Sequence, residues 1–548
     1  MKHDVVGNAR RLSDMTIERL LRLTDFEIDT LRNHFNHRTP FGPENAGVVR
    51  DADAKWLIFS TQNELCKAYR KSPRIIIGRR GSGKTSIVSN TDELVEHDVT
   101  LLIDTADAIE YVRDAIFEDV APSDVYVEKV EKFWTYVLDA LLMRQIVKNY
   151  GELRFPNCSK FLSTFSIGDD AGFNDIVSSF RKSVDRLGDG LGTFFVRAFF
   201  EYIDTGEAGY ASAIQELETF SSEKNFSSVA IIDSIEDYKI GNEKNAASIQ
   251  GLLKAVGEYG NRQRQVRLCI PGEAYFEIKN LSSNFSKDLS DSLILHWLPS
   301  ELMHIMAWRY LIFLRIYSPE DLSKFSDLDI KSRSHVSKVL QNFLPQTIKN
   351  SFGKSESSLA YILRHTQLLP RQLILILNSI FRTNTGEHIS SYRDINVVMG
   401  LRSCESFICD EVFSAFRYKF PFAEDLCKKV IVHLPRTFRD GDLHRVYSRF
   451  GSAVLREYGA FDFHDFKEIL VEIGAIGRVK NITGMYAEAE FEYAMPGRLH
   501  LATDDQLCLH PVFSGVFEAS AHRTDEVFVY PQRDWFENEE QRSVWLKV

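Results

Sequence analysis

The run Gly78-Arg79-Arg80-Gly81-Ser82-Gly83-Lys84-Thr85 has the spacing G-x-x-x-x-G-K-[ST]. Each residue type suits a bound phosphate chain. Glycines let the backbone fold tightly, so that its N–H groups converge on phosphate oxygens. Lys84 would reach the β- and γ-phosphates, and Thr85 would give Mg²⁺ a hydroxyl ligand. Together with Ser86, these residues are the candidate contacts to ATP. Arg79 and Arg80, in the variable part of the loop, admit two readings. They are a solvated pair that raises the local positive potential, or one of them pairs with an acid across a closed interface or senses the γ-phosphate.

A phosphate-binding loop that hydrolyses its ligand needs acids elsewhere. In "FSSVAIIDSIEDYKI" an apolar strand, residues 229–232, ends at Asp233, the candidate second holder of the Mg²⁺ shell. Glu236 and Asp237 follow, and either could polarise the attacking water; Glu236 is favoured as the base. Downstream, "RHTQLLPRQLILILNSIF" places Pro370 at a helix start and Arg371 beside it, positioned to reach a γ-phosphate. Arg262 and Arg264 are the competing candidates for an arginine acting in trans. Glu273 is the nearest candidate for a polar sensor after the strand that carries Cys269.

These side chains need a scaffold. "RIIIG" before the loop is a β-branched run suited to a buried parallel strand, and "KTSIVSN" continues as a helix from near Gly83. Apolar runs at 99–105, 229–232, 266–272 and 292–298 alternate with helical patterns, which predicts a parallel α/β sheet covered on both faces. A helical insertion occupies about residues 106–225. The expected layout is an N-terminal helical and entry segment over 1–70, the α/β nucleotide domain over 71–300, and a helical lid over 301–400. A winged-helix domain over 401–525 and a tail over 526–548 complete it. In the winged helix, three helices ending near Gly477 precede a hairpin whose turn is Pro496-Gly497.

Composition narrows the class. The chain has 548 residues, 44% hydrophobic and 26% charged, and a net charge of −11, which argues against a surface that coats nucleic acid. Residues 421–510 hold 11 lysines and arginines against 14 aspartates and glutamates, poor electrostatics for DNA. Arg436, Arg439, Arg445 and Arg449 could still cluster on one face, with Arg478, Lys480 and Arg498 near the wing, so DNA and protein both stay open as its partner. Seven scattered cysteines without a CxxC pair point to reduced thiols in a cytoplasmic protein, and no run is apolar enough to span a bilayer.

The order of "GRRGSGKT", "AIIDSIED", "LILHW" before a helix with "WRY", "LPRQLI" and a C-terminal "LHPVF" resembles a group of bacterial P-loop ATPases. They are related to the origin-recognition-complex branch of AAA+ and to STAND ATPases, and the likeness covers about residues 38–515 in order. Residues 41–59 look like the entry segment that borders the adenine pocket in this group. The resemblance implies ATP, Mg²⁺ and nucleotide-dependent self-association by an ATPase, with slow, switch-like turnover and rapid cycling both left open by the residue after Asp233. It also implies a role in anti-phage defence beside a separately encoded effector. Ser234 stands directly after Asp233, where many AAA+ ATPases carry the catalytic glutamate. The alternative is a DNA-binding ATPase of loader or initiator type.

Overall fold

The computed structural model describes residues 16–59, 73–89, 97–103, 108–117, 121–122, 125–187, 195–233, 242–258, 263–281, 291–382, 397–494, 499–519 and 527–531. The chain divides into two units. One comprises Lys67–Gly78 and Thr91–Ile294, the other Met1–Cys66, Arg79–Asn90 and Leu295–Val548.

The first unit is α/β. Strands β1 (Ile75–Gly78), β2 (Val99–Ile103), β3 (Ser228–Ile232), β4 (Arg264–Pro271) and β5 (Ser292–Ile294) form one sheet in the order β2-β3-β4-β1-β5. Every pairing is parallel. Ile75, Ile76 and Ile77 are at most 1% exposed, as a β-branched strand covered on both faces must be. The five runs read from the sequence all become strands, but β5 ends at Ile294 instead of 298. Its ladder on β1 stops at the Ile77–Ile294 pair, because β1 itself gives way to the loop after Gly78.

Among the described residues, six α-helices occupy the insertion between β2 and β3: Ala108–Phe117, Val127–Tyr150, Pro156–Thr164, Phe173–Leu187, Phe195–Asp204 and Tyr210–Lys224. Their aromatics are core: the Phe180 ring lies 4.8 Å from that of Phe165 and 5.2 Å from that of Phe199. Helix Val127–Tyr150 also packs on Glu243–Glu258, where Trp134 Nε1 donates to Ser248 O at 3.1 Å. Gly251 makes that crossing possible, since a Cβ there would stand 2.5 Å from Val130 Cγ1.

The second unit is mainly helical: α1 (Lys84–Ser89), α2 (Pro299–Tyr317), α3 (Ser358–Arg364), α4 (Pro370–Ile380), α5 (Val397–Arg402), α6 (Glu405–Phe416), α7 (Ala423–Ile431), α8 (Asp440–Val446), α9 (Phe463–Glu472) and α10 (Pro511–Val516). A short hairpin, β6 (Thr347–Lys349) with β7 (Ser355–Ser357), interrupts what the sequence presents as continuous helix up to residue 400. Strands β8 (Thr437–Arg439), β9 (Ile476–Thr483), β10 (Tyr486–Glu490), β11 (Gln506–Leu509) and β12 (Phe528–Pro531) make a mixed sheet in the order β12-β10-β9-β11-β8.

That sheet corrects the reading of the C-terminal region in three ways. Helix α9 stops at Glu472, and Ile476 to Thr483 is a strand, not the end of a helix. The hairpin turn lies at Gly484, whose φ of +60° suits a tight reversal, instead of at Pro496-Gly497. Pro496 and Gly497 lie outside the described residues, as does Arg498. Finally, β12 pairs in parallel with β10, so residues assigned to a tail complete the sheet.

The entry segment is held by long-range polar contacts within this unit. Arg309, 2% exposed, donates from Nη1 to the carbonyls of Phe41 and Pro43, both at 3.1 Å, and burial lowers its pKa to about 9. Asn378 of α4 receives Phe41 N–H and donates to Gly42 O, each at 2.9 Å. Trp308 Nε1 donates to Leu57 O at 2.6 Å.

Candidate functional site

The phosphate-loop sequence folds as a compact turn. Ser82 N–H donates to Arg79 O at 3.0 Å, closing a reversal between β1 and α1. Gly81 and Gly83 have φ of +84° and +95°, a region that costs an L-residue about 1–2 kcal/mol. Trp297 Nε1 caps the turn by donating to Ser82 O at 2.7 Å. Lys84, 3% exposed, has Nζ 3.5 Å from Arg79 O, so its ammonium is held over the turn. Thr85 is exposed, and Ser86 Oγ donates to Phe59 O at 3.3 Å, tying α1 to the entry segment.

Arg371 is brought to this loop. Its backbone N–H points at Gly81 O at 3.5 Å, and a Cβ on Gly81 would sit 3.0 Å from Arg371 Cβ. Arg371 therefore lies against the glycine turn from the first residues of α4, where Pro370 needs no hydrogen bond. Its Nη1 is 4.0 Å from Glu411 Oε1 of α6. Arg371 Nε and Ser82 Oγ are buried with no hydrogen-bond partner among the described residues. Arg80 is exposed and donates from Nη1 to Ser414 Oγ at 3.3 Å. The Glu411 carboxyl is pushed up by its burial, while Arg371 and Arg80 pull it down and Glu44 adds to the rise.

Arg79 departs from the solvated-pair expectation. It is 7% exposed and points into the second unit. Its Nη2 donates to Glu472 O at 2.8 Å and its Nη1 to Gln367 Oε1 at 3.2 Å. The guanidinium carbon is 5.3 Å from the Phe416 ring centre and 5.7 Å from that of Tyr493. One partner is the carbonyl end of α9, where the helix dipole favours a cation. Gly474, at φ +76°, ends α9 in a Schellman-type turn: Gly474 N–H donates to Val471 O and Ala475 N–H to Leu470 O, both at 2.9 Å. The carbonyls of Glu472 and Ile473 are left over, and Arg79 and Gln367 Nε2 (3.0 Å to Ile473 O) take them.

The other expected residues belong to the first unit or lie outside the described residues. Asp233 ends β3 at the carboxyl edge of the parallel sheet, with its N–H on Ile103 O at 3.2 Å. Glu236, Asp237 and Arg262 lie outside the described residues. Arg264 sits at the amino end of β4 and pairs within its own unit, with Asp139 at 3.3 Å and Glu218 at 3.0 Å. Those bonds place it in an ion-pair network of its own unit. Glu273 is buried in the turn Gly272–Ala274 after β4.

Sequence reasoning missed Gln367, Glu411, Trp297 and the α9 carbonyls. Gln367 and Trp297 do fall inside the quoted segments "RHTQLLPRQ" and "LILHW", but nothing in their spacing marks them as partners of residues 79 and 82.

The fold is thus α/β, with a five-stranded parallel sheet whose fourth strand in spatial order runs into a glycine loop of phosphate-binding sequence. No family model matches the chain, and a search of curated proteins returns no match. No helix among the described residues is long and apolar enough to cross a membrane.

Proposed function

We propose that this chain is a nucleotide-dependent switch that binds ATP with Mg²⁺ at the loop Gly78 to Ser86 and hydrolyses it slowly. The observation that carries the reading is the loop itself. Two left-handed glycines shape a turn joined to a buried parallel strand, Arg79, Arg80 and Lys84 belong to that loop, and Arg371 lies against it with Glu411 4.0 Å away. Buried donors without acceptors, Arg371 Nε and Ser82 Oγ, are what an anion site presents before its ligand arrives. Lys84 and Arg371 would hold phosphate oxygens, Thr85 and Asp233 the Mg²⁺ shell, and Glu236 or Asp237 the attacking water. Mg²⁺ supplies charge neutralisation on the phosphates when bound.

The switch acts through the lid and winged-helix-like elements that carry Arg371, Glu411 and α9, and its output is self-association or contact with a partner protein, such as the effector of a defence system. The DNA-loader reading has less support. In the C-terminal region Arg478 and Lys480 pair with Glu490, Lys467 with Asp440, Arg445 with Asp442, Lys428 with Glu424 and Lys429 with Asp425. The exposed side of α9 presents Glu468 beside His464. Such a surface has little charge to release counterions from DNA.

The test is calorimetric binding of a non-hydrolysable ATP analogue with Mg²⁺, alongside particle sizing. Wild type should bind and change mass. Lys84→Ala should lose at least about 30-fold in affinity, the equivalent of about 2 kcal/mol. Equal affinity in both proteins would end the ATP reading, and salt-sensitive duplex binding would revive the loader.

A further inference from the structure

A cavity of about 530 Å³ opens in the second unit, away from the phosphate-loop residues. Its wall takes Phe352 from the β6–β7 turn, Arg364 and His365 from the end of α3, Arg402 from α5, Glu405 from α6 and Arg436 from the approach to β8. The volume is that of a small-molecule site.

The chemistry of the wall selects the ligand. Arg364 is already satisfied, donating from Nε and Nη2 to buried Glu356 at 3.1 and 3.0 Å. Arg402 is exposed on the wall, and the guanidinium carbon of Arg436 stands over the Phe352 ring, 4.0 Å from its centre. Among the described residues, the acids on the wall are Glu405 and, exposed, Glu518. His365 Nδ1 lies 2.7 Å from Tyr361 O, a carbonyl that can only accept, so the ring proton sits there. Nε2 is then a bare lone pair 3.6 Å from Glu405 Oε1. Burial, with Arg364 and then His510 and Arg436 adding to it, keeps His365 neutral. Burial also raises Glu405 to about 7, against the pull of Arg364 and Arg402. When protonated, Glu405 can hydrogen-bond His365 and present no charge to the cavity. Phe352, Tyr361 and Phe528 supply ring faces.

We propose that this cavity binds a small organic anion carrying a planar ring, with Arg402 and Arg436 receiving the anionic group. Planar guanidinium groups match carboxylate, phosphate and sulfonate geometry and also stack on rings. The site communicates with the phosphate loop through one short stretch of chain. Arg364 and His365 run into Thr366, whose carbonyl accepts from His510 Nε2 at 3.2 Å, and into Gln367, which accepts from Arg79. An occupant of the cavity thereby bears on the residue that fixes Arg79. This coupling rests on the nucleotide reading; the binding itself does not.

The probe is 8-anilinonaphthalene-1-sulfonate, an aromatic anion of constant charge near neutrality, titrated by fluorescence against the full chain. Arg402→Ala and Arg436→Gln should each weaken binding about tenfold, while Arg445→Ala, a surface residue paired with Asp442, should not. Arg402 is exposed, so its replacement leaves the fold intact. If the ligand selects neutral Glu405, wild-type affinity should fall about tenfold between about pH 6 and about pH 8, and Glu405→Gln should abolish the slope. Unchanged binding in both Arg402→Ala and Arg436→Gln would overturn the site, and a flat wild-type profile would remove the role given to Glu405. Saturating probe should also alter the affinity for an ATP analogue in wild type and leave Gln367→Ala unaffected; no change in wild type removes the coupling alone. Failure of the analogue to bind at all counts against the loop reading, because the probe titration does not use it.

Discussion

Replacing Arg79 separates two jobs that one loop arginine could do. In the structure the side chain spends its donors on Glu472 O and Gln367 Oε1 and its faces on Phe416 and Tyr493. Charge-assisted hydrogen bonds contribute about 1.5–3 kcal/mol each, and the ring contacts about 0.5–2 kcal/mol. Against this stands the desolvation of a buried guanidinium, itself several kcal/mol. The gross sum is therefore a poor guide, and the cost of truncation is set by what is left behind. Arg79→Ala strands two buried acceptors at about 1–3 kcal/mol each, so a net loss of about 2–5 kcal/mol in the anchoring of α9 is expected. Arg79→Lys keeps the charge but lacks the fork, and should recover about half. The assay is hydrogen exchange at the amides of Gly474 and Ala475, whose bonds close the α9 turn, together with the affinity for an ATP analogue. Exchange there should rise by about 30-fold or more, with ATP affinity changed less than about threefold. The opposite pattern, unchanged protection with an affinity loss matching Lys84→Ala, would refute the argument and make Arg79 a phosphate ligand. A double-mutant cycle with Gln367→Ala should show coupling of about 0.5–3 kcal/mol.

Three further outcomes follow from particular contacts. Glu411→Gln removes the carboxylate 4.0 Å from Arg371 Nη1 and should tighten ATP several-fold, about 1 kcal/mol; weaker binding by calorimetry would show that Glu411 positions Arg371 instead. His510 is buried and held neutral, its pKa lowered to about 3 by burial, with the charges of Arg364 and Arg79 assisting. A depressed folded-state pKa places its stability contribution above the unfolded value of about 6.5 and removes it as pH falls towards about 3, so about 2 kcal/mol is lost by about pH 5. His510→Asn should flatten that stretch of the urea-midpoint profile, and an unaltered profile would assign the acid sensitivity elsewhere. Gly251→Val puts a side chain where Val130 already stands, so thermal unfolding should reveal a loss of at least about 1–3 kcal/mol.

The phosphate loop, the five parallel strands and the helical insertion were legible because each depends on neighbours in sequence. A β-branched run, a glycine at a fixed offset and a 3.6-residue apolar period are local signals. The C-terminal sheet was read less well. Its central strand β9 follows a helix after three residues, its partner β11 arrives from 506, and β12, the partner of β10, from 528, so no local period announces the order.

The same division runs through the site. Sequence alone determined that residues 78 to 86 have phosphate-loop spacing and a glycine turn, since glycine conformations and the lysine offset are set within one turn of chain. It also singled out Arg371 by its place after Pro370. Only the tertiary structure decided that Arg371 meets Gly81, that Arg79 is buried on the carbonyls of α9 while Arg80 stays exposed, and that Gln367 bridges the two regions. Adjacent arginines are indistinguishable in sequence. Their fates diverge because one faces leftover helix carbonyls from residues nearly 400 positions away, and packing alone brings those within reach.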